Sequence, residues 1–414
     1  MASAYLHRTN SGTGSTTKST LSMWVKFCNP TSSQHLWIHY YDNNNFLRLT
    51  QESDSCLQIQ TDLSNSTDVQ KKTTRVFRDT NAWYHIVLAI DLTDSTQEDK
   101  YKLYINGERE TVFQTNNNTA NSSGSYVGGN SSWNPTFGRH PSGSGYFNGL
   151  MTHVHFVDGT TYTPSTFGET DTTTGIWKPK TAPSVTYGTN GYFLKMDNSG
   201  NMGLDSAGSN NFTTSGTIIQ TKDTPSNVYC SLNPLDATSQ TLSHINLSGY
   251  GVENKASTAT LGFDSGKWYW ECKCVTQNTY TMIVGITNDS NMQSGTYATQ
   301  NVGPNANGWS YFMQNNSDNG KSFNNNTLSS VYQTVSQGDI LQIAVDADAG
   351  KIWWGVNGTY VNSGNPNTGA NETWTTSDID ANTPYVPAVA YYYASSKIGF
   401  NFGSSSQSIS SGNS

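Results

Sequence analysis

Trp83-Tyr-His-Ile-Val-Leu-Ala-Ile-Asp91 is followed by Lys102-Leu-Tyr-Ile-Asn106-Gly107. Far downstream, Asp339-Ile-Leu-Gln-Ile-Ala-Val-Asp346 is followed by Lys351-Ile-Trp-Trp-Gly-Val-Asn357-Gly358. Each passage is an apolar-alternating strand ending at an Asp, a short polar loop, a second strand and an Asn-Gly pair. Asn-Gly between alternating runs is the strongest local hairpin signal, because both central residues of a type I′ turn need positive φ. Two such passages predict two all-β domains of related architecture.

The composition agrees. Apolar residues make up 34% of the 414 and charged residues 13%, the difference going to Gly, Ser, Thr and Asn. Aromatics stand at 12%, which argues against a disordered chain and suits narrow cores filled by aromatic and β-branched side chains. Working outward, Thr20–Phe27 alternates, and His35–Tyr41 with Asn45–Thr50 reads as a hairpin joined through Asp42-Asn43-Asn44. Tyr146–Val157 reads as a long closing strand, with Gly149 expected to mark a bulge or bend. Helical periodicity is absent, and short strands at regular spacing describe a sandwich or jelly roll. The first domain is expected over residues 1–183 and the second over 230–403. Residues 184–229 between them are expected as an ordered connector with strands in Tyr187–Met196 and Gly216–Gln220, too rich in large apolar residues for a free linker. Residues 404–414 read as a flexible tail.

Net charge is −8, and no block of Lys or Arg is longer than Lys71-Lys72, which argues against nucleic acid or an anionic membrane as partner. No apolar stretch is long enough for membrane insertion. The first ten residues lack the apolar core of a signal peptide, so synthesis in the cytoplasm is expected. Five cysteines without zinc-site spacing, two of them Cys272 and Cys274 on one strand, read as buried free thiols.

Several stretches resemble known families. Gly266-Lys-Trp-Tyr-Trp-Glu271, Ile283-Val-Gly-Ile286, Gly308-Trp-Ser-Tyr311, Gly338-Asp-Ile-Leu341, Ile352–Gly358 and Tyr385-Val-Pro-Ala-Val389 resemble, in order, a SPRY domain. Leu21-Ser-Met-Trp-Val-Lys26, Trp83-Tyr-His-Ile-Val87, Leu103-Tyr-Ile-Asn-Gly107 and Phe147-Asn-Gly-Leu150 are similar to the laminin-G-like, concanavalin A-type sandwich. The expected fold class is therefore all-β: two antiparallel β-sandwich (jelly-roll, concanavalin A-like) domains joined by an ordered connector. The tandem order, with Tyr5-Leu-His-Arg-Thr-Asn10 and Asp223–Pro234, resembles virion proteins of tailed phages, many from marine hosts, described as tail-fibre-like or lectin-like. That resemblance implies a virion protein made in the host cytoplasm. It implies a homo-oligomer, a trimer or another symmetric assembly, whose partners are host cell-surface glycans and other virion proteins.

Catalytic patterns are scarce. Glycoside hydrolases of the concanavalin-like fold resemble one another in a Glu-x-Asp-x-x-Glu strand, and retaining chemistry needs two carboxyls about 5 Å apart; this chain has no such run. Glu108 with Glu110 and Asp346 with Asp348 read as turn residues. His153 and His155 alternate on one strand and Asp42–Asn45 offers oxygen ligands, yet neither has the spacing of a metal site, so no metal or cofactor is expected, with calcium at Asp42–Asn45 left open but without support. No nucleophile elbow or phosphate loop appears. Glycans stack on aromatic rings while amides hold their hydroxyls. The candidate ligand-binding residues are therefore Trp133 and Tyr146 in loop-like settings, Trp309 and Tyr311 alternating on a strand, and Tyr392 within Tyr391–Tyr393. The expected function is a non-enzymatic phage fibre, spike or surface appendage that recognises host glycans. Behind it stand a structural virion protein of the capsid or tail and, last, a polysaccharide depolymerase.

Overall fold

Both Asn-Gly passages fold as hairpins. The computed structural model describes residues 4–10, 12–120, 127–129, 132–236, 241–243, 246–250, 255–277, 282–288, 302, 308–313, 317–324, 327–374, 383–391 and 396–404. Strand Tyr84–Asp91 pairs with Tyr101–Ile105, which turns through Asn106 (φ 50°) and Gly107 (φ 89°) into Glu108–Arg109. Strand Ile340–Asp346 pairs with Lys351–Val356, which turns through Asn357 (φ 49°) and Gly358 (φ 88°) into Thr359–Tyr360. In each copy the Asn also grips the neighbouring strand. Asn106 Oδ1 accepts the His85 amide at 2.8 Å, and Asn357 Oδ1 accepts the Ile340 amide at 2.9 Å. Asn tolerates positive φ and supplies that acceptor, which glycine in the same place could not.

The chain divides into two compact units, Met1–Val228 and Tyr229–Ser414. Among the described residues the first holds two large antiparallel sheets and a two-stranded one, Gly168–Thr170 with Trp177–Pro179. An eight-stranded sheet runs in the order Phe113–Asn118, Ser66–Val76, Cys56–Leu63, Asn45–Gln51, Gln34–Asp42, Asn134–Phe137, Tyr5–His7, Thr213–Ser215. A six-stranded sheet runs Tyr192–Leu194, Gly149–Asp158, Lys18–Phe27, Tyr84–Asp91, Tyr101–Ile105, Glu108–Arg109. Alternation sends Leu21, Met23, Val25 and Phe27 of one sheet against Leu47, Leu49, Leu57 and Ile59 of the other, in a single buried cluster. Burying each such side chain stabilises by about 1.5–3 kcal/mol.

The second unit repeats the layout. A seven-stranded sheet includes Lys397–Asn401, Lys267–Thr276, Ile340–Asp346 and Lys351–Val356 in adjacent positions. A six-stranded sheet includes Val386–Tyr391, Met282–Thr287, Gly308–Phe312 and Ser322–Asn324. Trp270, Leu341, Ile343 and Trp354 from the first meet Val284, Ile286, Trp309 and Tyr311 from the second in its core. All five cysteines are buried, and burial pushes the Cys274 thiol up to about 12.

Details differ from the sequence reading. The closing strand begins at Gly149, where a Cβ would lie 2.3 Å from the Lys26 carbonyl oxygen, so this glycine permits close backbone approach. The irregularity falls instead between Thr152 and His155, with His153 at φ 48°. In residues 184–229 the strands are Tyr192–Leu194 and Thr213–Ser215, edge strands of the two large sheets of the first unit, and Gly216–Gln220 is not a strand.

Candidate ligand-binding face

The outward side of the eight-stranded sheet in the first unit is a largely polar layer built by alternation, in which Ile38, Phe46, Thr50, Gln58 and Thr136 are buried and Arg48, Gln60, Asp62 and Gln70 are partly exposed. With Leu47 and Leu49 turned into the core, Phe46, Arg48 and Thr50 take the other side. With Leu57 and Ile59 inside, Gln58, Gln60 and Asp62 face out; with Val69 inside, Gln70 and Lys72 do. Register then aligns them. One row crosses seven strands as His7, Thr136, Ile38, Arg48, Gln60, Gln70 and Asn117. A second is Asn134, Tyr40, Phe46 and Asp62, and a third is His35, Thr50, Gln58, Lys72 and Thr115.

These side chains brace one another. Arg48 Nη2 donates to Gln60 Oε1 at 2.6 Å, and Gln60 Nε2 donates to Asp62 Oδ1 at 2.9 Å. Gln70 Nε2 donates to Gln58 Oε1 at 3.2 Å, and Gln58 Nε2 to Gln60 Oε1 at 3.3 Å. The Arg48 guanidinium lies 4.9 Å from the Phe46 ring centroid. Such a network holds planar amide and guanidinium groups in fixed orientations, which reduces the side-chain ordering cost when a hydroxyl-rich ligand binds.

The loop from Arg139 to Tyr146 borders this face. Its tip is a β-turn, His140-Pro141-Ser142-Gly143, closed by the Gly143 amide donating to the His140 carbonyl at 2.9 Å. The His35 amide donates to the Gly145 carbonyl at 2.9 Å, tying the loop to the sheet. The Arg139 guanidinium stacks 3.5 Å from the Tyr5 ring centroid and donates to the Tyr146 hydroxyl at 3.4 Å. His140 packs 5.1 Å from His35 and edge-on to Tyr40 at 5.3 Å. Its Nδ1 accepts the Ser142 amide at 3.2 Å, which places the proton of the neutral ring on Nε2. Burial, then Arg48 and Arg139, hold the His140 pKa below the usual range; burial, then Arg48 and His140, lower that of His35 to about 3.

Of the residues expected to bind ligand, Tyr146 alone stands at this face, half-buried against Arg139. Trp133 is a correction. It is 7% exposed and joins the core, with the Tyr41 ring parallel at 6.5 Å. Trp309 and Tyr311 are a second correction: both are fully buried. Their strand is covered on both sides, with Trp309 edge-on to Tyr385 at 5.6 Å and the Tyr311 hydroxyl donating to the Gln333 carbonyl at 2.6 Å. Tyr392 lies outside the described residues. Sequence reasoning passed over Arg48, Gln58, Gln60, Gln70, Arg139 and His140. The available signal was the polar half of Phe46-Leu-Arg-Leu-Thr50 and Leu57-Gln-Ile-Gln-Thr-Asp62.

Other candidates resolve into local structure. His155 stacks on Phe193 at 3.9 Å and shares a hydrogen bond with the Tyr187 hydroxyl at 2.8 Å, while His153 Nδ1 contacts Thr152 Oγ1 at 3.0 Å. Asp42 Oδ1 accepts from the Asn44 amide and Asn45 Nδ2, both at 2.8 Å. Among the described residues no group of three or more His, Cys, Asp or Glu is arranged to hold a metal ion. Glu110 pairs with Arg75 at 2.5 Å, and Asp346 and Asp348 accept the Ala349 and Gly266 amides.

Residues 2–165 match the laminin-G-type family model described as the concanavalin A-like lectin/glucanases superfamily, and residues 267–405 match the SPRY domain model. The chain thus carries a concanavalin A-like domain and a SPRY domain. Among solved structures, the SPRY domain of human HERC1 is similar at 17% identity, over 42% of this chain and 98% of that one, with a TM-score of 0.33. The TRIM65 PSpry domain is similar at 12% identity, over 42% and 92%, with a TM-score of 0.30. Stonustoxin is similar at 18% identity, over 42% and 27%, with a TM-score of 0.31. No curated protein matches the chain.

Proposed function

We propose that this chain is a non-catalytic adhesin: a fibre, spike or surface appendage of a tailed-phage virion whose first unit holds host-surface glycans on the outward face of its eight-stranded sheet. The observation that carries the reading is the set of three aligned rows, in which Arg48, Gln58, Gln60 and Gln70 are braced side by side. Planar amides offer paired donors and acceptors to sugar hydroxyls, and the Tyr146 and Tyr40 rings at the border offer apolar surface. The virion setting, and assembly as a homotrimer, are carried by the resemblance to phage fibre-like proteins. A binding role also suits domain types that are often binding modules.

Binding of the purified full-length protein to host cells and to their lipopolysaccharide tests this. Gln60→Ala combined with Gln70→Ala is expected to weaken binding by about tenfold or more, since each lost hydrogen bond to a buried partner is worth about 1 kcal/mol. Full binding in that variant sinks the choice of face, and absence of binding to any host surface sinks the adhesin.

A second reading, a structural virion protein contacting other virion proteins, is favoured by the second unit, where Trp268 and Tyr269 are 47% and 41% exposed on opposite faces of one strand. Particles lacking the protein would then fail in assembly rather than in attachment.

A further inference from the structure

We propose that the glycan carries an anionic group, a carboxylate or a sulfate, seated between Arg48 and Arg139 beside His140. This inference rests on the reading of the face as a glycan site and adds the ligand's charge. In a chain of net charge −8, Arg139 immediately precedes His140 in the loop, and Arg48 lies opposite Ile38 on the strand whose His35 and Tyr40 rings pack on His140. Neither arginine has an ion-pair partner among the described residues. Among the described residues, Arg139 meets neutral groups, the Tyr5 ring and the Tyr146 hydroxyl. Arg48 donates to the neutral amide oxygen of Gln60 and stacks on Phe46. The Nε atom of each guanidinium is buried without a hydrogen-bond partner among the described residues. A half-buried guanidinium with donors unfilled is costly, and an anion removes that cost through charge-assisted hydrogen bonds.

The acids nearest Arg48 are already committed. Asp62 accepts from Gln60 Nε2 and Glu52 accepts from the Thr50 hydroxyl. The rings lining the place are neutral, since His35 and His140 are both held below the usual imidazole range. Their protonation on acidification adds positive charge beside the anion. The Ser142 and Ser144 hydroxyls at the loop tip are exposed and supply further donors.

The test is titration of the full-length protein with polygalacturonate, dextran sulfate and unsubstituted dextran. At least one charged polymer is expected to bind, more weakly as salt rises, with dextran bound at least about tenfold less well. Preference between the two polymers identifies carboxylate or sulfate. Arg139→Gln and Arg48→Gln are each expected to weaken binding about tenfold, Arg139→Lys less, because lysine keeps the charge and loses the fork. Arg78→Gln, an exposed cation outside the three rows, controls for general attraction and leaves binding unchanged. Melting curves for the Arg139 variants separate loss of the anchor on Tyr5 from loss of binding. Equal effects of Arg78→Gln and Arg139→Gln overturn the inference. So does neutral-glycan binding that falls in Gln60→Ala and persists in Arg139→Gln, which leaves the glycan reading standing. Absence of binding to every polymer and to host polysaccharide overturns both.

Discussion

Mild acid should unfold the first unit well before the second. Seven of the eight histidines, at positions 7, 35, 39, 85, 140, 153 and 155, lie in Met1–Val228; the eighth, His244, falls outside the described residues. His39 and His85 are fully buried, and burial first of all lowers each pKa from 6.5 to about 3; Arg8 adds to the effect at His39 and His153 at His85. Between those values the unfolded chain binds a proton at each site that the folded chain does not. Stability from these groups is therefore complete above pH 6.5 and falls as pH drops toward 3. At pH 5, 1.5 units below the unfolded pKa, each costs about 2 kcal/mol, or about 4 kcal/mol for the pair. For a unit of this size that lowers the melting temperature by about 8–16 °C. Most carboxylates still hold their charge at pH 5, which isolates the histidine contribution. Hydrogen exchange by mass spectrometry reads each unit separately, through peptides covering strands Tyr84–Asp91 and Ile340–Asp346. The first should lose protection between pH 7 and 5, after correction for intrinsic exchange, and the second should not. His39→Gln should shrink that loss by about 2 kcal/mol, even if it lowers stability at pH 7. Equal losses in both units, or an unchanged pH response in His39→Gln, would refute the reasoning.

Three further perturbations test the packing. Trp309→Ala should destabilise the second unit by about 3–5 kcal/mol, seen in denaturant titration, and leave glycan binding of the soluble fraction untouched; lost binding with normal stability would restore Trp309 as a ligand contact. Asp223→Ala should cost about 3–5 kcal/mol, because Lys26, 2% exposed and 2.6 Å away, is left as a buried charge. Adding Lys26→Met should recover much of that loss, and strict additivity in the double variant would argue against the pairing. Gly358→Ala should cost about 1–2 kcal/mol through backbone strain alone, since φ is +88° and nothing lies within 4 Å of the new Cβ. A neutral effect on the melting temperature would contradict the turn geometry.

What sequence could reveal was local. The Asn-Gly turns at 106–107 and 357–358 and the alternation of Leu47, Leu49, Leu57 and Ile59 state their own conformation, so the all-β class and the hairpins are legible. Which strands lie side by side is set by long-range pairing, and for that reason the row through Arg48, Gln60 and Gln70 was invisible although each residue's outward direction was not. Trp133 looked like a loop residue because Ser and Asn surround it. The burial of its ring is decided by core residues distant in sequence. Trp309 and Tyr311 alternate like a half-exposed strand, yet their sheet is covered on both sides. Gly149 was read as a bulge because glycine interrupts strands; here it answers to the Lys26 carbonyl oxygen across the sheet.

The outward face of the eight-stranded sheet is proposed to bind glycan without cleaving it. Incubating the full-length protein with host surface polysaccharide, and measuring bound polymer and released reducing ends in the same samples, tests it most directly. Saturable binding that is lost in Gln60→Ala combined with Gln70→Ala is expected, with reducing ends at the level of a protein-free control. Binding that survives those substitutions, or reducing ends that accumulate with time, would contradict it.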